Sequence, residues 1–116
     1  MNFLVVLNDP PYGTERSYNG LRLAGALAKR DGTAVKVFLL ADAIGCAKAG
    51  QKVPQGYYHL GRMAQVVLQH GGQVGVCGSC MDARGLSEPD LIEGARRSAL
   101  DELADWTLWA DSVVVF

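Results

Sequence analysis

Four short apolar runs, separated by stretches of helical character, restrict this chain to few architectures. The runs are Phe3–Leu7, Ala34–Leu40, Val74–Val76 and Ser112–Phe116. The first, FLVVL, is apolar throughout, as expected of a strand covered on both faces. Thr14 is the predicted N-cap of the first helix, with Glu15 in its first turn. Leu21, Ala24, Leu27 and Ala28 follow at helical spacing, and Lys29-Arg30-Asp31-Gly32 makes the stop. A short helix is expected over Asp42–Lys48, then a loop over Gly50–Gly56 that either borders a site or is a plain connection. Leu60, Met63, Ala64, Val67 and Leu68 form one face of an amphipathic helix ended by Gly71-Gly72. Ser87-Glu88-Pro89-Asp90 has the spacing of a capping box. It predicts a last helix from about Pro89 to Trp109, with Ile92, Ala95, Ala99, Leu103, Trp106 and Ala110 facing the core. A short fifth strand is placed near Gly85–Leu86. Strands joined through helices need crossovers, so the sheet is mostly parallel, with helices on both faces. The expectation is one α/β domain over residues 1–116: three layers, α/β/α, on a mostly parallel sheet of four to five strands.

Bulk properties narrow the function classes. A chain of 116 residues, 49% hydrophobic and 20% charged, has the composition of a globular protein. Eleven basic and twelve acidic side chains leave a net charge of -1, which argues against nucleic acid or an anionic membrane as partner. The apolar runs are too short to span a bilayer, and Met1-Asn2-Phe3 lacks the pattern of a signal peptide. Three cysteines do not read as a disulfide framework, so the cytoplasm is the expected location.

The chemistry concentrates in Gln73–Leu86, QVGVCGSCMDARGL. A strand there delivers Cys77 to its carboxyl end, where open α/β sheets place their ligands, and Cys80 completes C-x-x-C. The amides of a following helix start favour a thiolate. The alternative is that both thiols are buried packing residues. One C-x-x-C supplies two of the four ligands of a structural zinc site, and His59 and His70 lie eleven residues, about three helical turns, apart. No metal is therefore expected. Neither G-x-G-x-x-G nor a Walker A sequence is present, so no nucleotide cofactor is expected either. Arg84 either serves Cys77 directly or caps the short helix or pairs with Asp82 or Asp90. Tyr12, at the carboxyl edge, either walls the site or is a packing aromatic, and Cys46, among small neighbours, reads as buried.

These residues carry a resemblance. The chain resembles the DsrE/DsrF family of small sulfur-relay proteins, and within it the YchN-type branch. The likeness runs through PPYGTE with NGLRLAGALA, FLLADA, the GQK and GYY loop, CGSCMDARGL and DELADWTLWADSVVVF. The strands alone would fit many flavodoxin-like domains; the cysteine, arginine and glycine pattern is the specific part. Carriers of the family hold their cysteine seven residues before an Arg-Gly pair, the spacing of Cys77 and Arg84-Gly85. The resemblance thus implies Cys77 as the sulfur-bearing residue; by position and charge, Cys80 and Arg84 join it as candidate catalytic residues and Tyr12 and Gly85 as candidate substrate contacts. It also implies a homotrimer or homohexamer that exchanges sulfur with donor and acceptor proteins. Trp106 and Trp109, neighbours on one helix, are expected to leave surface for such an assembly. Cys80 departs from the single-cysteine carriers, so two other readings stay open. One is a dithiol redox or sensor protein working through a Cys77–Cys80 disulfide; the other is an interaction module with inert thiols.

Overall fold

The computed structural model describes residues 1–116. Its strands are β1 (Asn2–Leu7), β2 (Ala34–Leu39), β3 (Gln73–Cys77), β4 (Ala95–Ser98) and β5 (Ser112–Val115). Its α-helices are α1 (Arg16–Ala28), α2 (Leu60–Gln69), α3 (Gly78–Ala83) and α4 (Leu100–Trp109). The strands form one sheet in the order β4-β3-β2-β1-β5, and every neighbouring pair is parallel. The α/β class and the parallel sheet are as the alternation of runs requires, with five strands where four to five were expected.

The topology decides which helix covers which face. From β1 to β4 the chain steps in one direction, so right-handed crossovers put α1 and α2 together on one side. The return from β4 to β5 reverses the direction and lays α4 on the other side. In β2 the residues alternate accordingly. Lys36 and Phe38 point to the α4 face, where the Phe38 and Trp106 rings meet edge to face at 5.8 Å. The two-sided covering leaves Leu4, Val5, Leu7, Val37, Phe38 and Leu39 with no exposure at all. No helix is long and apolar enough to cross a membrane.

Three local expectations are corrected. Thr14 does not cap α1: its hydroxyl donates to Asp9 Oδ2 at 3.0 Å, and Glu15 occupies the N-cap position without a side-chain bond. The short helix expected over Asp42–Lys48 is present, as a 3-10 helix over Ala41–Ala47. The largest correction concerns the end of the chain. The capping box at Ser87 and Asp90 is real, but it closes only a 3-10 turn, Glu88–Asp90. The chain is then tied to the end of the Ala41–Ala47 helix by Ala49 N–H on Asp90 O and Ile92 N–H on Ala47 O, both 2.8 Å. Gly94, at φ 93°, turns it into β4, which is the fifth strand; the last helix starts only at Leu100. Ile92 and Ala95 are buried as expected, but from a loop and a strand, because a spacing of three fits a turn-to-strand path as well as a helix.

Gly85–Leu86 is not a strand but the stop of α3. Leu86 N–H returns to Met81 O at 3.0 Å, Gly85 N–H to Asp82 O at 3.2 Å, and Gly85 sits at φ 68°. That is a Schellman motif, in which glycine supplies the left-handed residue. Gly85→Ala is expected to lower stability by about 1–2 kcal/mol, the cost of a β-carbon in that conformation. Urea unfolding measures it; no loss would mean that the turn relaxes freely.

Candidate functional site

Cys77 is the last residue of β3, paired in register with Ser98 of β4, and also the N-cap of α3. The strand's alternation aims it at the α4 face, and Gly78 and Ser79 after it leave little side chain in front. A cleft of about 450 Å³ opens there, lined by Cys77, Cys80, Phe38, Leu40, Arg97 and the first turn of α4 at Leu100. Only 8% of Cys77 is exposed, so its thiol is reached through this cleft. The order of the strands puts it at the carboxyl edge between β2 and β4, the edge from which parallel sheets present ligand-binding loops.

The sulfur is surrounded by donors. Cys80 N–H donates to Cys77 Sγ at 3.4 Å, and the Ser79 hydroxyl lies 3.4 Å away. Burial pushes the Cys77 thiol up. The Cys80 thiol, the Ser79 hydroxyl and the amides of both residues outweigh that burial and hold it below its ordinary value. Cys80 moves the opposite way. Burial and its bond to the Cys77 sulfur raise it, although the Ala41 amide, donating to Cys80 Sγ at 3.2 Å, and the charge of Arg84 oppose the rise. Ala41 holds that amide in place from a left-handed conformation, φ 50°, which costs a non-glycine residue of order 1 kcal/mol. The pair is thus polarised, with Cys77 the readier thiolate and Cys80 the proton holder. Cys46 is buried apart from them, its thiol pushed up to about 12 by burial, which its contact with Ser17 only partly offsets.

The remaining residues singled out in the sequence divide. Arg84 pairs with neither Asp82 nor Asp90. Its Nε and Nη2 contact Asp42 Oδ1 at 2.9 and 2.8 Å, and Nη1 donates to Cys80 O at 3.1 Å. It clamps α3 against the 3-10 helix and sets its charge beside Cys80. Gly85 terminates α3, as described above. Tyr12 does not line the cleft: its hydroxyl donates to Gln51 Oε1 at 2.7 Å and accepts Leu60 N–H at 3.3 Å, and its ring stacks on Tyr58. The Gly50–Gly56 loop is held there through Gln51 rather than beside Cys77. Trp106 is buried and Trp109 half-buried, with Lys36 Nζ 4.1 Å from its ring centroid, so the pair leaves only part of Trp109 as surface. Arg97 is the site residue the sequence did not reveal, because it fell inside a run read as helix. The signal was Gly94 in front of Ala95-Arg96-Arg97-Ser98, a break that a strand can follow but a continuous helix crosses only at a cost.

The DsrE/DsrF-like family model matches residues 1–116. The chain belongs to the DsrE/DsrF-like family. Protein YchN of Escherichia coli K12 is 39% identical over 114 residues, 97% of each chain. An uncharacterized protein of Methanocaldococcus jannaschii, MJ0989, is 38% identical over 116 residues, the full length of both. The crystal structure of E. coli YchN superposes with a TM-score of 0.93 at 38% identity, covering 99% of this chain and 98% of that one. MTH1491 of Methanobacterium thermoautotrophicum, of unknown function, shares the fold at a TM-score of 0.75 and 11% identity. DsrE/DsrF-like membership places the chain in a sulfur-relay type of family.

Proposed function

We propose that this protein carries sulfane sulfur as a persulfide on Cys77. The supporting observation is the polarised pair: a lowered Cys77 thiol facing a cleft, beside a Cys80 thiol kept protonated. The Cys77 thiolate attacks the outer sulfur of a donor persulfide. One sulfur–sulfur bond forms, the donor's breaks, and the donor thiolate leaves with the electron pair; the reverse sequence hands the sulfur to an acceptor thiol. The proton on Cys80 matters because a Cys80 thiolate would attack the inner sulfur, expel hydrosulfide and leave a disulfide. The reading places the protein in a reducing cytoplasm, with a cysteine desulfurase or similar protein as donor.

The test is intact mass after incubation with a cysteine desulfurase and cysteine, with and without reductant. The parent and Cys80→Ser should gain one sulfur that reductant removes, and Cys77→Ser should gain none. A dithiol redox protein, the reading that the nearness of Cys80 favours, would instead lose reversible oxidation with either substitution and form no stable persulfide. Loading of Cys77→Ser on Cys80 would overturn the choice of cysteine.

A homotrimer or homohexamer belongs to the same reading. The supporting surface is not the tryptophans but Leu100, Leu108 and Val115, which are 73%, 86% and 61% exposed on α4 and β5. Mass photometry or sedimentation equilibrium at micromolar concentration should find an oligomer. Monomer alone would refute it.

A further inference from the structure

Arg97 is the one cation lining the Cys77 cleft, and its posture is specific. Its Nη1 and Nη2 bind the two oxygens of Asp82 at 2.7 and 2.9 Å, an end-on bidentate pair. That pair uses one proton of each terminal nitrogen. The Nε–H and the second Nη2 proton, which form the other fork of the guanidinium, donate to no group in the protein. This fork lies over Gly78, the residue next to Cys77. A β-carbon on Gly78 would fall 2.8 Å from Nε and 2.9 Å from Cζ and Nη2. Glycine after the cysteine is thus what lets the guanidinium lie against the start of α3. Asp82, and more weakly the Cys77 sulfur, favour the charged guanidinium.

We propose that the free fork of Arg97 is an anion-recognition element of the cleft, selecting sulfur compounds that carry a carboxylate or sulfonate a few bonds from the reacting sulfur. A guanidinium fork matches two oxygens of such a group, and charge-assisted bonds of this kind are directional. Asp82 offsets part of the positive field, so selection comes from the unpaired N–H groups more than from a diffuse potential. The idea rests on Cys77 being the reacting thiol, as proposed above, and names the chemistry of what reaches it. No group transfer beyond the sulfur exchange already described is needed.

The test uses probes rather than a physiological donor. Peptide-resolved rates at Cys77 are measured with iodoacetate, which is anionic, and iodoacetamide, which is neutral and nearly the same size. Both consume the same thiolate, so their ratio cancels the thiol's pKa. A second pair, sulfonatoethyl and trimethylammonioethyl methanethiosulfonate, repeats the comparison with a sulfonate and a cation. The parent's anion-to-neutral ratio should exceed that of an unstructured cysteine peptide and fall as salt is raised. Arg97→Gln should lower it at least about threefold, the size of one nearby charge at high effective dielectric. Arg97→Lys should retain part of it, and Arg30→Gln, an exposed charge at the end of α1, should leave it unchanged. A ratio equal to the peptide's, which needs no variant, or a folded Arg97→Gln with the parent's ratio would overturn the proposal. Sulfur loading that fails while the ratio responds to Arg97 sinks the carrier reading alone. Loading that succeeds with an Arg97-independent ratio sinks this one alone.

Discussion

At pH 7.5, Cys77 should react with iodoacetamide at least about a hundred times faster than Cys46 in the native protein. The reasoning starts from the thiolate fractions. With a pKa of about 12, Cys46 presents only about one thiolate in thirty thousand molecules at that pH. Cys77 lies below the ordinary 9.0 and presents at least about three in a hundred, a thousandfold more. A high-pKa thiolate is the better nucleophile once formed, which returns roughly a factor of twenty to Cys46. Complete burial of Cys46 takes that advantage away again, since the reagent must wait for an opening of the fold. Peptide-resolved alkylation across pH reads both rates; equal rates would mean that the cleft does not activate Cys77. The same burial has a stability signature. A folded pKa raised from 9.0 to about 12 means that neutral Cys46 is a stabilising feature, fully present below pH 9. It is lost as pH rises toward 12, at up to roughly 1.4 kcal/mol per pH unit. Cys46→Ala should therefore flatten the alkaline loss of stability relative to the parent. An unchanged alkaline limb would put the loss on other groups.

What could be read from the residues, and what could not, follows the range of the forces involved. Phe3–Leu7 and Ala34–Leu39 were legible because a strand covered on both faces is a near-continuous apolar run, broken in the second only by Lys36. Cys77 was legible because a strand end followed by Gly78 and Ser79 has a clear meaning in a parallel sheet. β4 was hidden: Ala95-Arg96-Arg97-Ser98 is an edge strand, and only one neighbour, β3, gives it its conformation. Its arginines look like a solvated helix face until Arg96 is seen to bind Glu102 at 2.7 Å and Arg97 to bind Asp82. Such pairings join residues whose proximity the fold creates, and no local pattern encodes them. The same holds for Arg84, whose partner Asp42 lies forty-two positions earlier, on a different element. Tyr12 was placed correctly at the loop after β1. The strand order then separates that loop from the end of β3 by a whole strand, and sequence spacing carries no trace of strand order.

Trp106→Ala should cost about 3–5 kcal/mol, a large part of the 5–15 kcal/mol that holds a typical domain together. Trp106 is the one fully covered side chain of α4, at 4% exposure, and α4 crosses this face of the sheet alone. Its ring meets Phe38 edge-on at 85°, with Lys36 and Arg96 reaching over it. The indole needs space that only Gly75 provides: a β-carbon there would lie 2.9 Å from Trp106 Cη2 and 3.2 Å from Cζ3. Gly75→Ala should therefore destabilise by about 1–3 kcal/mol through overpacking. Trp106→Phe removes those outer ring atoms, so the double variant should lose less than the sum of the single losses. The consequence extends to the chemistry, because the first turn of α4 lines the Cys77 cleft. Loosening α4 should speed native-state alkylation of Cys77 by neutral reagents while leaving that of Cys46, which has other neighbours, slower. Urea unfolding and alkylation on the same samples check both links. A Trp106→Ala loss below about 0.5 kcal/mol, within the range of an ordinary surface substitution, would mean that α4 is not what closes this side of the sheet.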